Sequence, residues 1–150
     1  MSGVDPDDPW PEVLEWLHVA GSDQRAGRLC LSADPPLCDV ATFHCQQAAE
    51  KLLKGFLVRA GTDFRKTHDL DVLAQSVLPH FPSLESLLAP MRAWTAWSVA
   101  YRYPGESGPE PEPSVAELSR ALDAIERLDT ALRSLAPPGA APGAGDVGRD

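Results

Sequence analysis

The chain is short of cysteine and of positive charge, and it has no long apolar run. Cys30, Cys38 and Cys45 make an odd set with no Cys-x-x-Cys spacing. A structural zinc site takes four ligands at short, paired spacings, so these thiols are expected to be reduced and buried. No apolar stretch approaches the ~20 residues that span a bilayer. The start carries no basic region followed by an apolar run, so neither a signal peptide nor a membrane anchor is expected, and a cytoplasmic location follows. The chain has 13 Lys and Arg against 22 Asp and Glu, a net charge of −9. Bulk affinity for nucleic acid needs a net basic footprint and is not expected. The deficit is uneven: −5 over residues 1–37, +1 over 38–104 and −5 over 105–150. The middle segment alone has the charge for a local basic stripe. Strand-like alternation is missing too, as is any internal repeat of roughly 20–50 residues.

What is present is proline and helical periodicity. The 15 prolines cluster at 6–11, 35–36, 79–90, 104–113 and 137–142, and apolar periodic segments lie between them. A chain of 150 residues with 43% hydrophobic content is enough for one domain with one core. Asp8 and Pro9 suit the start of a first helix in which Trp10, Val13, Leu14, Leu17 and Ala20 recur at helical spacing. That helix is expected to run to about Ala33, with Gly21 and Gly27 as weak points and Pro35-Pro36 beyond its end. A second runs from about Asp39 to Ala60, with Gly61 after it. Its apolar arc holds Ala41, Cys45, Ala48, Ala49, Leu52, Leu53, Phe56 and Ala60, opposite His44, Gln47, Lys51 and Lys54.

Thr67 is the expected cap of a third helix, with Asp69 and Asp71 at the positive end of its dipole. Ser83 is expected to cap a short helix through Ala89, and Met91 to about Tyr101 to form a fourth long one. After a Pro/Glu-rich linker at 104–113, Ser114 starts a last helix with Val115, Leu118, Leu122, Ile125, Leu128, Leu132 and Leu135 on one stripe. The expected fold is all-α: an antiparallel up-and-down bundle of four long helices plus one or two short ones over residues 9–136. Residues 1–8 are expected to be loose, and 137–150 to be a disordered Pro/Ala/Gly tail.

Three tracts carry a family resemblance. Phe43-His44-Cys45-Gln46-Gln47-Ala48-Ala49-Glu50-Lys51-Leu52-Leu53-Lys54-Gly55-Phe56-Leu57 resembles the second helix of HEPN domains, small helical proteins encoded beside minimal nucleotidyltransferases. Thr67-His68-Asp69-Leu70 and Tyr101-Arg102-Tyr103-Pro104-Gly105 resemble the family's two later motifs, in the same order and spacing. The resemblance implies a helical bundle, usually a homodimer. It also implies a choice of function. Toxin-type members are metal-independent ribonucleases with Arg, four to six residues, then His; the Arg polarises a phosphate and the His moves a proton. Here Arg92 is followed after four residues by Trp97, and an indole cannot shuttle a proton. The resemblance then favours the non-catalytic branch, a nucleotidyltransferase-binding module in a toxin–antitoxin or nucleotide-transfer system, with no cofactor. The alternative is a ribonuclease toxin of degenerate motif, using Arg92 or Arg102 for charge and His68 or His44 for proton transfer.

The candidate contact residues each have a structural counterpart. His44, Gln47, Lys51 and Lys54 make either a grip for phosphate or an acidic partner, or a solvated face. His68 and Asp69 sit at a helix start, where anions bind and where an Asp also simply complements the dipole. Arg92 suits a phosphate contact or a surface ion pair. Arg102 and Tyr103 suit a nucleotide clamp or a helix C-terminus. Trp94, Trp97 and Tyr101 suit a core or dimer interface, or a base-stacking platform. Tyr101 and Tyr103 are also candidate acceptors of AMP from the nucleotidyltransferase.

Overall fold

Trp10, Val13, Leu17, Ala20, Asp23 and Gly27 are the buried positions of the first helix, α1 (Trp10–Ser32), and their three- and four-residue steps are what makes it a helix with one packed face. The computed structural model describes residues 5–64, 66–94, 97 and 112–140. Pro9 is the residue before α1, and Oδ1 of Asp8 accepts the Trp10 N–H at 2.9 Å, so Asp8 satisfies an orphan donor as expected.

The second helix, α2 (Cys38–Arg59), follows a short connection and packs along α1 as an antiparallel hairpin. It is buried on more than one side, because α1 and the later helices α3 (Leu70–Val77) and α5 (Val115–Arg133) all pack on it. Its buried positions include the whole expected apolar arc except Ala60, together with Thr42, Gln46, Glu50 and Lys54. Gly61 closes it at φ 70°, donating to the Val58 carbonyl, while the Thr62 N–H reaches back to Leu57. This pair of bonds is a Schellman close, and it needs a left-handed residue that only glycine adopts without strain.

Helix α3 (Leu70–Val77) differs from expectation at its cap. Asp69, not Thr67, is the N-cap: its Oδ1 accepts the N–H groups of Asp71 and Val72. Thr67 acts one step earlier, its hydroxyl accepting the Asp69 N–H at 3.1 Å. Asp outcompetes Thr here because a carboxylate at the dipole's positive end gains charge as well as a hydrogen bond. A 3-10 turn (Pro82–Leu84), α4 (Glu85–Leu88) and a second 3-10 turn (Pro90–Ala93) follow. Ser83 lies inside the first turn rather than capping it, and Pro82 and Pro90 each begin a tighter turn. Of the expected fourth long helix, residues 91–93 instead lie in the second 3-10 turn, where Pro90 starts a tighter winding, Trp94 is a turn residue and Trp97 is helical. Residues 95, 96 and 98–101, including Tyr101, and then Arg102, Tyr103 and the linker to residue 111 lie outside the described residues.

The last helix, α5 (Val115–Arg133), is capped by Ser114, whose Oγ accepts the Glu117 N–H at 3.1 Å. Leu118, Leu122, Ile125, Leu128 and Leu132 are buried, as their stripe predicts, whereas Val115 in the first turn is exposed and Leu135, beyond the last turn, is only partly buried. Residues 137–140 form a turn, with Ala140 against the core; 141–150 lie outside the described residues. The architecture is an all-α helical bundle, and no strand occurs among the described residues. Gly55 marks a close approach of α2 and α5: a Cβ there would stand 2.7 Å from Cδ2 of Leu132. Gly27, read from sequence as a weak point, is also a packing position, where a Cβ would meet Leu122 at 3.1 Å.

Candidate functional site

The polar face of α2 is folded inward rather than solvated. His44 and Lys51 both reach Asp23 of α1, a residue only 8% exposed. His44 Nδ1 lies 2.8 Å from Oδ1, and Lys51 Nζ pairs with Oδ2. One turn on, Lys54 is buried. Its Nζ is 3.3 Å from Oε2 of Glu50 and sits over the rings of Trp16 and Phe64, at 5.9 and 5.8 Å from their centroids. A buried ammonium is tolerable only with a counter-ion and favourable neighbours, and it has both. Gln47 donates to Oε1 of Gln46 at 2.9 Å.

The same carboxylate draws in the loop before α3. Oε1 of Glu50 takes His68 Nδ1 at 2.9 Å, and Gln46 Nε2 donates to the His68 carbonyl at 3.3 Å. Glu50 thereby joins two candidates, Lys54 and His68, that lie fourteen positions apart in the sequence and that spacing alone does not link. Asp69 spends its carboxylate on the α3 cap. Arg92 pairs with Oδ1 of Asp71 on α3, both half-exposed. Trp94 and Trp97 stack face to face, with centroids 5.1 Å apart and planes 12° from parallel. They border an open groove of about 320 Å³ with Pro90, Glu117, Arg120 and Ala121.

The candidates thus divide into groups. His44 and Lys51 meet on Asp23; Lys54 and His68 meet on Glu50; Arg92 stands apart on Asp71. Arg102, Tyr101 and Tyr103 lie outside the described residues. Sequence reasoning missed Asp23, Gln46 and Glu50, the residues that organise the others. The signals were present: Asp23 interrupts the stripe Ala20–Gly27 at core spacing, and Gln46, Glu50 and Lys54 follow one another at four-residue steps, so they share a face. Among the described residues no group of three His, Cys, Asp or Glu side chains is placed to hold a metal, and no helix is long and apolar enough to cross a membrane.

All three cysteines are free thiols. Cys45 is buried at 0% exposure, and burial pushes its thiol up to about 12, with Cys30 adding and Arg28 opposing. A thiol so placed is a packing group and not a nucleophile.

A family model described as HEPN domain matches residues 13–135. No curated protein and no solved structure matches the chain.

Proposed function

Since this chain belongs to the HEPN domain family, we propose that it is a non-catalytic member that binds a minimal nucleotidyltransferase, acting as a homodimer in a toxin–antitoxin or nucleotide-transfer system. One observation carries the proposal. The position that follows Arg92 after four intervening residues, where ribonuclease members place a proton-carrying imidazole, is Trp97, and its ring is stacked on Trp94. The indole has one N–H donor and no basic nitrogen, so it neither accepts nor relays a proton. Arg92, the residue that would polarise a phosphate, is engaged by Asp71. In this reading Arg102 and Tyr103 are contact residues and Tyr101 or Tyr103 accepts a nucleotidyl group.

Co-expression with the nucleotidyltransferase encoded nearest its gene tests the proposal. Co-purification at a fixed ratio, with cellular RNA intact when the chain is overexpressed alone, is the expected result. No complex, together with metal-independent RNA cleavage that is lost in Arg92→Ala, establishes the ribonuclease alternative instead.

A further inference from the structure

The binding proposal leaves the pair of Glu50 and His68 unused. The Glu50 side chain is 5% exposed and that of His68 is 81% exposed, yet Nδ1 and Oε1 are 2.9 Å apart. Lys54, itself buried, compensates the carboxylate through its other oxygen. An ionised carboxylate only accepts hydrogen bonds, so the ring proton is on Nδ1 and the neutral ring's lone pair is on Nε2. The backbone is pinned as well, by Gln46 on the His68 carbonyl. No described residue hydrogen-bonds Nε2. An imidazole fixed by a buried orienting carboxylate, with its second nitrogen in solvent, has the layout of an activated nucleophile and not merely of a loop fastening.

The other histidines lack one part of this arrangement. His44 also has Nδ1 on a carboxylate that a lysine shares, but its side chain is only 24% exposed. His80 uses Nε2 itself, 3.1 Å from the Thr62 hydroxyl. His18 is exposed without a carboxylate partner among the described residues.

We propose that His68 is a phosphoryl-acceptor site, its Nε2 taking the group from a phosphoric anhydride. The Nε2 lone pair forms an N–P bond, and the P–O bond to the leaving phosphate breaks, that oxygen departing with the electron pair. Nδ1–H stays on Glu50. The positive charge that develops on the ring faces the Glu50 carboxylate, which makes Glu50 a positioning residue. This site goes beyond the nucleotidyltransferase proposal and stands whether or not such a partner binds.

Potassium phosphoramidate, a small phosphoryl donor, tests it on the full chain, with phosphorylated histidines mapped by mass spectrometry under alkaline conditions. Here the N–P bond forms as the donor's P–N bond breaks and ammonia leaves. His68 is expected to react about fivefold or more faster than His18 and His80 in the same molecules, an advantage of orientation and tautomer. Glu50→Gln is expected to bring the ratio close to one, and His68→Asn to remove the fast phase. Equal rates at the three histidines, or an undiminished ratio in a folded Glu50→Gln, overturn the proposal. Where Glu50→Gln does not fold, the ratio in the unmodified chain decides.

Discussion

The indoles of Trp94 and Trp97 lie 12° from parallel with centroids 5.1 Å apart, so the residue that follows Arg92 after four intervening positions is part of an aromatic stack. Trp94 is 6% exposed and forms part of the core, and Trp97 covers it.

Trp97→Ala is expected to lose the coupled indole signal in near-ultraviolet circular dichroism and to lower stability. The aromatic pair contributes about 0.5–1.5 kcal/mol beyond the area it buries. Trp97→Phe is expected to keep most of the stability. An unchanged spectrum in Trp97→Ala would refute the stack.

Asp23 holds a histidine and a lysine from one buried position. Asp23→Ala leaves His44 and Lys51 unpartnered, but both are partly exposed and gain water in exchange. The expected loss is therefore about 1–3 kcal/mol in urea unfolding at neutral pH, rather than the larger cost of a fully buried charge.

Lys54 has no such relief, at 9% side-chain exposure. Glu50→Ala strands its ammonium between Trp16 and Phe64, and a loss of roughly 3–5 kcal/mol is expected. The double variant Glu50→Gln/Lys54→Met is expected to be more stable than Glu50→Ala, because it leaves no unpaired charge. A double-mutant cycle measures this coupling directly.

Two glycines in helices are expected to respond to alanine with opposite signs. A Cβ at Gly21 meets nothing within 4 Å. Gly21→Ala is expected to stabilise by about 0.5–1 kcal/mol through helix propensity. At Gly55 the same gain is outweighed, because Leu132 has no exposed space to turn into and Trp16 Cβ stands 3.4 Å away. A net loss of about 1 kcal/mol is expected from overpacking. Thermal unfolding of the two variants side by side checks both signs.

Burial raises the Cys45 thiol from 9.0 to about 12. A raised folded value means that the folded state holds the proton more tightly, so Cys45 leaves stability unaffected below pH 9. Between that pH and the folded value stability is lost, at about 1.4 kcal/mol per pH unit. Cys45→Ala is expected to flatten this part of the alkaline limb relative to the unmodified chain. In the native state, Cys30 and Cys38 are expected to be alkylated before Cys45, because they are only partly buried.

Much of the fold was legible because a helix writes its buried face into sequence at a fixed period. The stripe of α5, the arc of α2 and the Gly61 close all follow from spacing and from glycine's left-handed freedom. The α3 cap was misplaced because Thr67 and Asp69 are both good caps, and only the backbone geometry chooses between them. The site was less legible. His44, Lys51 and Lys54 share a face, and a polar face seen alone reads as solvated.

The sequence by itself determined the class of fold, the ends of its main helices, the family motifs and the presence of an indole at position 97. Only the tertiary structure decided that Lys54 is buried, that Asp23 gathers His44 with Lys51, and that Glu50 fastens His68. These pairings join α1 to α2, and α2 to the loop before α3. Periodicity specifies which face of a helix turns inward but not which residue of another helix it will meet. Burial and ion pairing depend on that meeting.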